Sequence, residues 1–261
     1  GMADDVWGKR KSRSKTVWSV IGAAAVVGAG VFWWVVTPPR IDEGGRALPE
    51  KADPALIAHG KYIAELGDCV ACHTGHAGPI MAGGRPLETP FGVLYSTNIT
   101  PDKKTGIGAY TFGEFDRAMR HGVTAKGAHM YPAMPYPSYA KLTPDDMYAL
   151  YVYLMKGIPA VHFPNKPMEI GFPFNMRWSL AFWDFVFADA TPFVKDPTKD
   201  EVWNRGAYLV QGLGHCGACH TPRGIAFQEV AMSEKGANGG KFVSGAKVEE
   251  WNAINLRDLW T

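Results

Sequence analysis

The sequence predicts a mainly α-helical protein in which two related domains stand in tandem behind a single N-terminal membrane-spanning helix. Three observations predict it: an uncharged run from Val17 to Val36, helix-starting and helix-ending signals that recur along the rest of the chain, and a Cys-x-x-Cys-His motif that occurs twice, 147 residues apart. With 261 residues, 46% of them apolar, the chain is long enough for about two domains of ordinary size. Only 20% of residues are charged, 27 Lys and Arg against 25 Asp and Glu, which excludes both a disordered tail and a strongly basic nucleic-acid binder.

In chain order, residues 1–16 form a basic cytoplasmic segment. Asp4, Asp5, Lys9, Arg10, Lys11, Arg13 and Lys15 sum to +3 and leave residues 17–261 at −1. Residues 17–36, VWSVIGAAAVVGAGVFWWVV, span as a helix about 30 Å, the thickness of a bilayer's hydrocarbon core. The preceding cations, with Trp18 at one end and Trp33 and Trp34 at the other, predict a single-pass anchor of the inner membrane whose following domains face the periplasm. The competing expectation is a cleaved signal peptide, with an apolar region of about 7–15 residues; Ala29-Gly30 offers a cleavage site, but the bulky Phe32-Trp33-Trp34 run favours an interfacial collar. Export is common to both.

Residues 37–53 hold three prolines and two adjacent glycines without an apolar period and read as a tether. A first domain, 54–160, opens with Asp53 as helix cap, Pro54 at the first helical position and Gly67 placed to end the helix. Thr111 and Glu114 stand at capping-box spacing ahead of an apolar stripe of Phe115, Ala118 and Met119. Thr143-Pro144-Asp145-Asp146 opens a further helix, striped by Met147, Leu150, Tyr151 and Leu154 and closed by Lys156-Gly157. No strand-like alternation of useful length is visible. Residues 161–197 form an aromatic-rich segment, with Phe172, Phe174, Trp178, Phe182, Trp183, Phe185, Phe187 and Phe193, that packs between domains or against a partner, or lies as an interfacial helix near a membrane quinone site.

A second domain, 198–261, is marked by an internal repeat. Gly60-Lys61-Tyr62-Ile63-Ala64-Glu65 lies over Gly206-Ala207-Tyr208-Leu209-Val210-Gln211, and after one inserted glycine the two motifs fall into line. Gly83-Gly84-Arg85 matches Gly239-Gly240-Lys241, and Thr97-Asn98-Ile99 matches Ile254-Asn255-Leu256. By this register Thr261 corresponds to about residue 104 or 105 of the first copy, so the second domain is expected to be incomplete.

The two motifs, Cys69-Val70-Ala71-Cys72-His73 and Cys216-Gly217-Ala218-Cys219-His220, account for all four cysteines. Thiols so spaced reach both vinyl groups of one haem as thioethers, and the histidine that follows ligates iron through its imidazole. Two copies predict two covalent haem c groups, with His73 and His220 on the irons. A zinc site would need four ligands at closed tetrahedral spacing, and export to an oxidising compartment disfavours a free redox pair.

The second axial ligand decides whether such an iron carries electrons or binds small molecules. Met130, Met134, His121 and His129 lie about 50–60 residues beyond His73. Met134 sits in Tyr131-Pro132-Ala133-Met134-Pro135-Tyr136-Pro137, where three fixed φ angles can hold a thioether, and is the expected distal ligand; bis-histidine ligation is the alternative. Met119 reads as core, Met130 as packing beside the haem, and His121 as a helix-ending histidine. Met232, 12 residues beyond His220, is too close to serve the second iron. Arg85, with Ser96, Thr97 and Asn98, can donate to haem propionates, ordinary turn chemistry being the alternative, and Pro79 offers its carbonyl to the free nitrogen of His73.

The chain resembles the multihaem cytochrome c subunits of membrane-bound alcohol, aldehyde and gluconate dehydrogenase complexes of acetic acid bacteria and related proteobacteria. The resemblance is carried by Cys69–Thr74, Gly83–Gly92, Tyr95–Asp102, Arg120-His121-Gly122, Tyr131–Tyr139 and Phe174–Trp178. It implies tandem cytochrome c domains, Met134 as distal ligand, and a catalytic dehydrogenase partner of pyrroloquinoline quinone, molybdopterin or flavin type. It also implies electron flow through three haems towards ubiquinone and the respiratory chain. This sequence departs from the pattern in showing two haem motifs and no stretch for a second distal methionine, so a third haem is expected only in a longer chain.

No dinucleotide fingerprint, P-loop or flavin, pterin or quinone-cofactor cluster is visible, so this chain is expected to transfer electrons without catalytic residues of its own. Nucleic acid is not an expected partner. The rivals are a dihaem peroxidase, which needs an open iron and is opposed by the Met134 loop, and a haem-based gas sensor, for which no output domain is visible.

Overall fold

The computed structural model describes residues 4–248 and 250–257. The ends of the predicted segments 1–16 and 198–261, with the register match for Thr261, lie outside the described residues. The chain divides into two units, residues 1–38 and 39–261. The first unit is helix α1, Asp4–Val36, which runs unbroken through the basic and apolar segments. Within it Lys15–Val36 is long and apolar enough to cross a membrane, and none of that window is buried.

The second unit contains α2 (Pro54–Leu66), α3 (Cys69–His73), β1 (Pro86–Thr89), β2 (Gly92–Tyr95), α4 (Phe112–His121), α5 (Tyr136–Tyr139) and α6 (Pro144–Val152). It continues through a π-helical turn, Tyr153–Gly157, to β3 (Glu169–Ile170), α7 (Leu180–Phe187), α8 (Glu201–Gln211), α9 (Gly217–His220), β4 (Ala246–Val248) and β5 (Trp251–Ala253). The helix caps follow local chemistry. Asp53 accepts from Ala55 N at 2.9 Å, Thr111 and Glu114 close a reciprocal capping box before α4, and Thr143 accepts from Asp146 N at 3.2 Å.

Helices α2 and α6 cross at Gly60. A Cβ there would stand 2.0 Å from the Ala149 carbonyl oxygen, so only glycine permits the approach. Around that crossing Ile63, Leu142, Met147, Leu150 and Val152 are fully enclosed, and Met119 is buried as expected. Strands, unforeseen in the sequence, form two small antiparallel sheets, β1-β2-β3 and β4-β5. Each strand has only two to four residues, too few for a period to show.

Two segments pack more closely than their composition suggests. In the expected tether, Glu43 accepts from Thr111 Oγ1 at 2.6 Å and Gly113 N at 2.8 Å, while Arg46 pairs with Asp145 at 2.6 Å, laying this stretch on α4 and α6. In the aromatic segment Asp184 accepts from Tyr136 Oη at 2.5 Å, and Trp183 Nε1 donates to Ala226 O at 2.9 Å. Helix α7 thus ties α5 to the region after α9. Helix α8 docks on the same core: Tyr208 and Leu213 are buried among its residues, and Tyr208 Oη donates to Asp146 Oδ2 at 2.5 Å.

Candidate haem-attachment sites

Each Cys-x-x-Cys-His motif occupies a single helical turn, entered through a residue in the left-handed region, Asp68 at φ 53° before α3 and His215 at φ 36° before Cys216. That reversal turns the chain out of α2 or α8 so that one turn presents both cysteines and the histidine. In each motif the first cysteine is half-buried and the second exposed, and none of the four is in a disulfide. Burial, followed by the nearby Cys72 and Asp68, pushes the Cys69 thiol up to about 12. Burial also raises Cys72 and Cys216. All three shifts favour the thiol over the thiolate.

The same set of contacts surrounds both motifs. His73 O accepts from Gly83 N at 2.7 Å and His220 O from Gly245 N at 2.8 Å. Thr74 Oγ1 accepts from Met81 N at 3.1 Å and Thr221 Oγ1 from Val243 N at 2.9 Å. Met81 O accepts from Ile99 N at 2.9 Å and Val243 O from Leu256 N at 3.0 Å. This register corrects one sequence match: the structural counterpart of Gly83 is Gly245, not Gly239. The reason is an insertion, since the threonine bond spans 7 residues in the first copy and 22 in the second.

Both imidazoles are held by a backbone carbonyl. His73 Nδ1 lies 2.7 Å from Thr97 O and His220 Nδ1 2.8 Å from Ile254 O, which leaves Nε2 of each ring available to a metal. Burial lowers the His73 pKa and favours the neutral, ligating ring. Pro79 does not take the expected part. Its carbonyl accepts from Ala82 N at 3.2 Å within its own turn, and Thr97 O has the place beside the ring.

Met134 is half-buried and packs, like Cys69, against the core of the unit. Its loop is pinned on both sides. Tyr131 Oη donates to Phe174 O at 2.6 Å, and Tyr136 N donates to Met134 O at 2.8 Å. Beyond α5 the Arg120 guanidinium donates to Ala140 O at 2.6 Å and Leu142 O at 2.9 Å, and its Nε bonds Asp116 at 2.8 Å. His121 ends α4, and burial lowers its pKa. His129 places Nδ1 2.8 Å from Asp184 Oδ2, while its Nε2 is buried without a hydrogen-bond partner.

Arg85 is exposed beside a cleft of about 380 Å³ shared with Thr74, Gly75, His76, Ala77 and Pro86. Its cation opposes the rise that burial imposes on the Cys72 thiol. Asn98 is a correction. Its amide nitrogen donates to Val161 O at 2.8 Å, Thr105 Oγ1 at 3.1 Å and Phe163 O at 3.3 Å, so its donors are used in the fold and not offered to a propionate. Ser96 is likewise buried, accepting from Arg85 N at 3.0 Å. Among the described residues no group of three His, Cys, Asp or Glu side chains is placed to hold a metal ion.

Residues 57–157 match the family model described as cytochrome c. This part of the chain is a cytochrome c domain. Its donor set of two thiols and one oriented imidazole on a single turn fits covalent haem c. The chain is also 52% identical over 209 residues to a gluconate 2-dehydrogenase cytochrome c subunit of Pantoea cypripedii, covering 80% of this chain and 47% of that protein. It is 51% identical over 218 residues to an alcohol dehydrogenase (quinone) cytochrome c subunit of Komagataeibacter europaeus, covering 82% and 46%. A diheme cytochrome c-type protein of Cereibacter sphaeroides is 38% identical over 187 residues, covering 67% of this chain and 62% of its own length. The chain thus spans about half the length of the first two relatives.

Proposed function

We propose that this chain transfers electrons through two covalent haem c groups in a membrane-bound dehydrogenase complex. One observation carries the two-haem reading: the imidazole-to-carbonyl contact of the cytochrome c domain recurs at His220 and Ile254, within the same frame of threonine and glycine hydrogen bonds. Residues 198–261 are on this reading a second cytochrome c domain. Cys69 and Cys72, and Cys216 and Cys219, hold the porphyrins. His73 and His220 supply the proximal nitrogens, Met134 the distal sulfur of the first site, and Arg85 a positive charge for its propionates.

Haem supplies a one-electron couple, and closed His/Met ligation raises its potential and excludes small ligands. The pinned loop around Met134 favours that closed state over peroxidase or gas-binding chemistry. His129 is the second reading for the distal ligand of the first site, favoured by its unpartnered buried Nε2. The names of the relatives support a catalytic dehydrogenase subunit as electron donor; ubiquinone or the respiratory chain is the acceptor on this reading. The span Lys15–Val36 supports a single-pass anchor with the haem domains facing the periplasm.

Haem counting tests the reading. Pyridine haemochrome analysis and intact mass are expected to give two haems for the parent chain, and one for each of the Cys69→Ala/Cys72→Ala and Cys216→Ala/Cys219→Ala variants. A parent count of one would overturn it.

A further inference from the structure

The two attachment turns meet through one side chain that neither motif contains. Tyr139, the last residue of α5, is buried, and its Oη donates to Gly67 O at 2.7 Å, two residues before Cys69. A carbon placed on Gly67 would stand 3.6 Å from both Cys69 Sγ and Tyr139 Cε1, so thiol and ring flank the same point. On its other side the Tyr139 ring meets the His215 imidazole edge-on, with centroids 5.7 Å apart and planes at 72°.

His215 is built into the second turn. It is the left-handed residue immediately before Cys216, its carbonyl accepts from Ala218 N at 2.8 Å, and its Nδ1 lies 2.9 Å from Leu213 O. Leu213 is itself buried in the core that also holds Tyr139. A packed path therefore runs from Cys69 through two aromatic rings to Cys216, in a region where the α8 connection is locked onto the first domain.

We infer that Tyr139 is a positioning residue that couples the two haem sites, its ring filling the space between the Cys69 turn and His215. The inference rests on the two-haem reading above. Bound haems would supply the one-electron couple, one iron being oxidised as the other is reduced. No proton moves, and the tyrosine is not oxidised; it supplies contact in place of a gap. Asp68, the counterpart of His215 at the first motif, has no ring, so the aromatic bridge belongs to this junction and not to the repeat.

The test is laser flash photolysis of the full, haem-loaded chain with a soluble photoreductant, read as the rate of electron equilibration between haems. Tyr139→Phe keeps the ring and is expected to keep the parent rate. Tyr139→Leu is expected to slow equilibration about tenfold while both haem spectra stay unchanged, because a gap leaves its lining without contact partners. If Tyr139→Leu does not load both haems, His215→Asn removes the ring from the other side with a residue that tolerates the left-handed backbone, and the same slowing is expected. Parent rates in whichever ring-deleted variant loads two haems would overturn the inference alone. A haem count of one in the parent would overturn the two-haem reading as well.

Discussion

The His73 imidazole is held by the carbonyl of Thr97, Nδ1 to O at 2.7 Å. The contact fixes the proton on Nδ1 and the ring plane, and so the direction in which Nε2 would face a haem iron. The carbonyl is in turn placed by its neighbour. Asn98, 2% exposed, receives Thr100 N at 2.9 Å on Oδ1, and its backbone N donates to Asn165 Oδ1 at 2.7 Å.

Asn98→Ala is therefore expected to act beyond its own site. Loss of several buried hydrogen bonds should cost about 2–3 kcal/mol in thermal or denaturant unfolding. The potential of the first haem should shift while that of the second stays in place, which redox titration of the two haems checks.

The repeat offers an internal control at its glycines. A Cβ at Gly60 would collide with the Ala149 backbone, whereas at Gly206 nothing lies within 4 Å. Gly60→Ala is expected to destabilise by about 1–3 kcal/mol through overpacking. Gly206→Ala, in an open helical position, should stabilise by roughly 0.5–1 kcal/mol. Melting temperatures of the two haem-loaded variants report the opposite signs.

Glu229 makes stability depend on pH. Burial beside the Gly217 backbone raises its carboxyl from 4.5 to about 7, only partly opposed by Arg223. A raised folded-state pKa means that the native chain favours the protonated acid. Its stabilising contribution is complete below about pH 4.5 and is lost as pH rises to 7, with an upper bound of ~3 kcal/mol. Unfolding of the parent followed from pH 5 to 8 should show this decline, and Glu229→Gln should flatten it.

What the sequence made legible was local chemistry. The caps at Asp53, Thr111 and Thr143, the closing Gly67 and the two attachment turns all rest on residues a few positions apart. Thr97 escaped because the ring's partner is a backbone carbonyl 24 residues away, which any residue can supply, whereas Pro79 was merely near in sequence. The Gly245 register escaped because the insertion carries its own Gly239-Gly240 pair. Tyr208 matches Tyr62 in the repeat, yet Tyr208 is buried in the first domain's core and Tyr62 is exposed. A pairwise match cannot show which copy supplies the surface and which the docking face.

The most direct test of the relay is the absorption spectrum of the haem-loaded chain, oxidised and reduced, with and without carbon monoxide, beside that of Met134→Ala. A far-red methionine-to-iron band in the oxidised parent that vanishes in the variant, with carbon monoxide binding at the first haem only in the variant, is the predicted result. A first haem that binds carbon monoxide in the parent would contradict a closed first site and with it the electron-transfer account, whereas a band indifferent to Met134 would contradict Met134 as its distal ligand.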